Sequence, residues 1–186
     1  MRKTLVMGLG GAGMSIASHV KKQTGCDILA VNTNAETLSN SPFDQRLQIG
    51  PSTCQGKAAK SVLRGQLAAE ESLEDLKYSI RGADRLILLA GLGGGTATGA
   101  GLIIIELALS MGMEVVLVGT LPFEFEGPQR AIAMEALPKL EKLDIKLVLH
   151  DHAKALKDGG AGKALNEYYN QASAQIARDV QELLAQ

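Results

Sequence analysis

Two runs of glycine carry the residues best able to do chemistry in this chain. The first is Gly8-Leu9-Gly10-Gly11-Ala12-Gly13, and the second is Gly91-Leu92-Gly93-Gly94-Gly95-Thr96-Ala97-Thr98-Gly99-Ala100-Gly101. Glycine lets backbone N–H groups come close to an anion, and a helix N-terminus adds partial positive charge. Three consecutive glycines followed by Thr96 and Thr98 can build a nest of donors rimmed by hydroxyls. The first run alone also fits a tight strand-to-helix turn with no ligand. The first matches G-x-G-x-x-G, the dinucleotide fingerprint, which expects an acidic residue at the end of the second strand. That strand ends here in Asn32, with Asp27 too early and Glu36 too late. A dehydrogenase would also leave the second run unexplained. Two such loops could clamp one polyphosphate from both sides.

Both runs need a strand before them and a helix after. Apolar stretches at residues 3–7, 28–31, 46–49, 85–90, 114–119 and 145–149 read as strands. Helical spacing covers residues 13–22, 58–78, 98–111, 128–142 and 163–184. This alternation predicts an α/β fold, a doubly wound, Rossmann-like, mostly parallel sheet of about six strands. Helices cover both faces, and the chain closes on a long helix. The expected organisation is one domain over residues 1–186, with the stretch 158–162 (Asp-Gly-Gly-Ala-Gly) as a loop or hinge inside it.

Composition narrows the class. A hydrophobic share of 46% suits a packed core rather than disorder. Net charge is -1 and there is no Trp, so no nucleic-acid surface is expected. No apolar run has the length of a membrane span, and the N-terminus lacks the pattern of a signal peptide, which predicts a cytoplasmic protein. Two cysteines make no disulfide framework. His150-Asp151-His152 has too few companions for a metal site and reads as a surface loop. Glu70, Glu71, Glu74 and Asp75 read as a solvated helix face.

The second glycine run resembles the Gly-Gly-Gly-Thr-Gly-Thr-Gly signature of the FtsZ/tubulin superfamily. Other stretches resemble FtsZ in the same order: Ala30-Val31-Asn32-Thr33-Asn34-Ala35, residues 66–72, and Pro122-Phe123-Glu124-Phe125-Glu126-Gly127. The resemblance spans nearly the whole chain and implies binding of GTP or GDP, a magnesium ion beside the phosphates, and a role in cytoskeletal assembly or cell division. It places Gly10, Gly11, Ala12 and Gly13 at the phosphates, with Gly93, Gly94, Gly95, Thr96, Ala97, Thr98 and Gly99 opposite them. It puts Asn32 near the phosphates and magnesium, Glu126 and Arg130 on the ribose, Tyr169 against the base, and Ser173 at the base edge. Glu126 and Arg130 alone would read as a surface ion pair, and Tyr169 as core packing. The resemblance implies partnership with a second copy or with a full-length FtsZ in a filament. The rival function is a non-enzymatic module that caps or regulates such filaments.

Several residues depart from the family pattern. Ala97 replaces a signature glycine, which strains the loop only if that position needs positive φ. Ser173 and Ser15 replace the Asp and Asn that face the base, so weaker guanine preference is expected. Asn34 removes a carboxylate near the metal. Residues 57–62 replace a γ-phosphate loop and offer Lys57 and Lys60 as possible charges for phosphate. No residue reads as a hydrolytic base. In the family, acidic residues from a neighbouring subunit's loop complete the site. That loop and a second domain are expected to lie outside these 186 residues, leaving the chain a nucleotide binder with no catalytic residue of its own.

Overall fold

The computed structural model describes residues 2–159 and 164–186. Six strands form one sheet: β1 (Thr4–Leu9), β2 (Ile28–Asn32), β3 (Gln45–Gln48), β4 (Arg85–Gly91), β5 (Glu114–Leu121) and β6 (Lys146–Asp151). They lie in the order β3-β2-β1-β4-β5-β6, and every neighbouring pair is parallel. The doubly wound α/β sheet expected from the alternation of elements is therefore present. The chain begins in the middle, winds outward to β3, then returns to the other side of β1 as β4. Connections diverge at that reversal and leave a crevice at the carboxyl ends of the strands.

Helices on both faces explain why β4 reads as a continuous apolar run, with all seven of its residues buried. On one face lie α1 (Gly10–Thr24) and the closing helix α9 (Leu165–Leu184). Met14, Ala17 and Val20 of α1 and Ile176 and Val180 of α9 share a core with Val6, Leu89 and Val116. The other face carries α4 (Val62–Glu71), α5 (Leu73–Ile80), α6 (Gly101–Ser110) and α7 (Gly127–Leu140). There Leu76, Ile80, Ile104 and Leu140 pack with Met7, Leu86, Leu88 and Leu117. Odd and even residues of each strand thus go to opposite cores, as the two-residue period of a strand requires.

Several element boundaries differ from the periodicity reading. The helix expected over 58–78 is two helices that break at Ser72, whose hydroxyl accepts the Gly50 N–H at 2.9 Å. The first of them starts at Val62 because the Ser61 side chain caps it, accepting the Arg64 N–H at 3.2 Å. Short helices α2 (Ala35–Ser39), α3 (Pro51–Cys54) and α8 (His152–Asp158) lacked a periodic signal. Before α6 the chain makes a π-helical turn over Thr96–Ala100. Residues 160–163 of the glycine-rich stretch and the start of the last expected helix lie outside the described residues. Among the described residues, no helix is long and apolar enough to cross a membrane.

Glu71 is more than a solvated side chain. Its carboxylate accepts the N–H groups of Ser52 and Thr53, both at 2.8 Å, and so caps α3. Hydrogen bonding from the Thr53 side chain, then from these two N–H groups, lowers its pKa from 4.5 to about 2. A carboxyl with a depressed folded pKa stabilises the fold above 4.5 and loses that contribution as pH falls through about 2. Glu71→Gln is expected to lower the thermal midpoint at neutral pH and to flatten its dependence between these two pH values. Parallel curves for variant and wild type would contradict the capping role.

Candidate functional site

A cleft of ≈ 440 Å³ opens at the carboxyl ends of β1 and β4. Gly10, Gly11 and Ala12 form one wall and residues 91–97 the other. The loops can approach because the strands beneath them pair directly, Leu9 opposite Ala90. Side chains are missing where they meet. A Cβ on Gly91 would lie 2.6 Å from the Ala12 methyl, and one on Gly10 would lie 3.6 Å from the Ala97 nitrogen. Neither helix start is capped by a side chain: Leu9 precedes α1, and Gly95 precedes the π turn. Their first N–H groups lack intrahelical partners. The residues that carry them line the cleft, where such groups can serve as donors with the helix dipoles behind them.

The floor is pinned by hydroxyls. Thr33 Oγ1 accepts the Ala59 N–H at 3.1 Å and pairs with Thr96 Oγ1 at 3.0 Å, which ties three segments together. Asn32 lines the cleft with its amide already oriented. Its Oδ1 accepts the Asn34 N–H at 3.1 Å, and its Nδ2 donates to Met14 Sδ at 3.4 Å. Gly94 is open: a Cβ there would meet nothing within 4 Å. Gly95 is closed, because a Cβ would strike the backbone of Ala59 and Ser61. Ala97 has no positive φ, so the alanine adds no strain in place of glycine.

Of the residues singled out from the sequence, Gly10, Gly11, Ala12, Asn32, Gly93, Gly94, Gly95, Thr96, Ala97, Glu126 and Tyr169 line this one cleft. The others stand elsewhere. Gly13 packs on the Leu89 carbonyl, and Gly99 on Val62 and Gly65 of α4. The Thr98 hydroxyl turns inward and accepts the Gly93 N–H at 2.8 Å. Arg130 forks onto Asp151 at 2.7 and 3.0 Å and donates to the Pro122 carbonyl at 2.5 Å. This bidentate bond lowers the Asp151 pKa and raises that of Arg130. The Glu126 carboxylate does not pair with the Arg130 guanidinium; it accepts the Phe123 N–H at 2.9 Å. Lys57 and Lys60 are exposed, and that loop lines the cleft with Ala58 and Ala59 instead.

Ser173 and Ser15 meet in an adjoining hollow of ≈ 250 Å³, which shares Ala12, Thr120, His152 and Tyr169 with the main cleft. The sequence reading missed Thr120 and His152. Both lie at the carboxyl edge, Thr120 near the end of β5 and His152 just after β6, and that position is the signal that could have found them. His152 does not sit in a surface loop; it opens α8 and is buried. Its ring stacks on Phe123 at 4.9 Å and meets Tyr169 edge-on at the same distance. Burial raises the Tyr169 pKa, assisted by the charge of Glu126. Among the described residues, no group of three His, Cys, Asp or Glu stands together to hold a metal.

An open parallel α/β sheet with two glycine loops at its reversal point is the architecture of the doubly wound, nucleotide-binding type. The Tubulin/FtsZ family, GTPase domain, matches residues 3–156, and the chain belongs to that family. The cell division protein FtsZ of Wigglesworthia glossinidia brevipalpis is 36% identical over 180 residues, 95% of this chain and 47% of that protein. An FtsZ dimer from M. jannaschii is 32% identical with a TM-score of 0.89, covering 98% of this chain and 54% of the other. CetZ2 from Haloferax volcanii, solved as a GTPγS-bound protofilament, gives 28% and 0.82, covering 98% and 58%. The chain spans about half the length of these relatives.

Burial lowers the His152 pKa, opposed by the charges of Glu126 and Asp151 and reinforced by His150. The folded protein thus takes up a proton there less readily than the unfolded chain. Stability is full above pH 6.5 and falls as pH drops below it. His152→Phe keeps a ring in the stack and removes the titration. Its thermal midpoint is expected to change less than that of wild type between about pH 7 and 5.5. Equal slopes would contradict a neutral buried imidazole.

Proposed function

We propose that the chain binds GTP or GDP across its two glycine loops, as the nucleotide-binding unit of an FtsZ-like protein of the cytoplasm tied to filament assembly or cell division. One observation carries this reading: two uncapped helix starts, one on β1 and one on β4, face a single cleft. Phosphates fit that end. Its described wall has backbone N–H groups and hydroxyls but no Lys or Arg, so dipoles rather than point charges would hold the anion. The nucleotide's remaining parts would run toward Glu126 and Tyr169. Asn32, which lines the cleft, would stand beside a magnesium ion carried by the phosphates. Arg130 acts by fixing Asp151 and the Pro122 loop beside the ribose rather than by touching the ribose. The 186 residues are read as one domain.

Gly94→Val tests the phosphate site without breaking the fold, since the new side chain enters open space and no positive φ is lost. Calorimetric titration with GDP is expected to show affinity lost by at least about a hundredfold, with the thermal midpoint within a few degrees of wild type. Unchanged affinity would remove the phosphates from this cleft.

Turnover needs an oriented water at the γ-phosphate, and positioning supplies most of the catalysis in phosphoryl transfer. The only carboxylate on the described cleft wall is Glu126, already bonded to the Phe123 N–H. In this reading acidic groups of a partner, such as a full-length FtsZ, complete the site. Phosphate release by the purified 186-residue chain saturated with GTP is expected to stay at background. It should rise when a full-length partner with a disabled nucleotide site is added. Steady turnover by the chain alone would contradict this division of labour.

A further inference from the structure

One buried cation plays no part in the cleft. Arg85 opens β4, at the end of the sheet away from the glycine loops, and is only 4% exposed. Its Nη1 donates to the Leu183 carbonyl, in the last turn of α9, at 2.6 Å. Its Nε lies 3.5 Å from the Glu114 carboxylate but makes no hydrogen bond. Arg2 pairs with the same carboxylate. Burying a guanidinium costs desolvation, and an apolar side chain of similar size in such a place is often no less stable. The best-attested gain from a buried charge is registry between packed elements.

The register of α9 is what its apolar packing leaves open. Ile176, Ala177, Val180 and Leu183 share a core with Ile16, Ala17 and Val20 of α1, and apolar contact has no direction. Polar ties fix the helix along its axis. Three of them fall within residues 179–183: His150 to Asp179 at 2.7 Å, Gln23 to Gln181 at 2.9 Å, and Arg85 to Leu183. Of these three only the Arg85 bond is buried, out of reach of competing water. The lengths also agree. From Leu183 back to Tyr169 the helix rises about 21 Å. From Arg85 to Gly91 the strand rises about 20 Å. A bond at the foot of both therefore brings Tyr169 level with the start of the second glycine loop, and Tyr169 and Gly91 both line the cleft.

We propose that Arg85 is a positioning residue: by holding Leu183 it sets the axial register of α9, and with it the height of Tyr169 against the second glycine loop. The register stands on the packing alone, while its effect on binding rests on the nucleotide reading above.

Arg85→Met removes the charge and its bond to Leu183 but keeps a straight side chain in the buried place. Its thermal midpoint is expected to stay within a few degrees of wild type. In the nucleotide-free protein the Tyr169 ring stands 5.4 Å from the Phe123 ring and 4.9 Å from the His152 ring, close enough for nuclear Overhauser contacts. Those contacts are expected to weaken in Arg85→Met, and GDP affinity by calorimetry to fall by about tenfold. Arg85→Lys, long enough to reach the carbonyl, is expected to restore both. If Arg85→Met does not fold, Arg85→Gln, polar but too short for the carbonyl, carries the same expectations. Ring contacts left in place would overturn the proposal, even with a lowered midpoint, since that pattern marks a purely structural role. Displaced rings with unchanged GDP affinity would also overturn it. Failure of the wild-type chain to bind GDP would contradict the nucleotide reading itself, and the ring contacts would then decide the register alone.

Discussion

The contact on which the site depends is the approach of one backbone loop to another above paired strands. Neighbouring strands lie about 4.8 Å apart, so loops rising from β1 and β4 meet unless side chains hold them off. Gly91 would drive a Cβ into Ala12, and Gly95 would drive one into Ala59 and Ser61. Glycine at these positions lets two helix starts face one volume and seats the second loop on the segment leading into α4. The left-handed φ of 69° at Gly10 turns the chain sharply from strand to helix. The sheet order supplies the rest, since only at the reversal between β1 and β4 do the connections part to leave a crevice.

Two arginines of the neighbouring elements are engaged elsewhere. Arg130 holds Asp151, and Arg64 donates to the Thr53 carbonyl at 2.8 and 3.0 Å. Backbone dipoles remain to receive an anion, and they are already oriented when it arrives. The Thr33–Thr96 pair and the Ala59 N–H fix the floor. Toward the other end the wall changes character. Phe123, His152 and Tyr169 form a ring cluster, and Thr120 and the Glu126 carboxylate line the wall beside it. One cleft thus joins a donor-rich end suited to phosphate to an aromatic end suited to a base.

Much of this was legible in the sequence, for local reasons. Glycine runs between an apolar strand and a periodic helix need no tertiary information to be read, and buried parallel strands announce themselves as unbroken apolar runs. What escaped depended on distant partners. The spacing of Glu126 and Arg130 puts them one helical turn apart, yet Arg130 binds Asp151, 21 residues along the chain. Thr98 looks like a second phosphate hydroxyl, but it closes its own loop on Gly93. Lys57 and Lys60 carry the charge a phosphate would want, but their loop presents its alanines to the cleft. His152 looked like part of a surface loop because neither the turn into α8 nor the stack on Phe123 leaves a periodic trace. Ser72 broke a helix that periodicity alone would have continued, because its hydroxyl serves Gly50.

The central claim is that both loops grip the same phosphates through backbone N–H groups. Amide resonances of the isotopically labelled 19.6 kDa chain, followed by NMR during titration with GDP, test it most directly. The account predicts that Gly11 and Ala12 shift together with Gly94, Gly95 and Thr96, along one saturation curve. Movement of the first set with the second unchanged, or of neither, would contradict it.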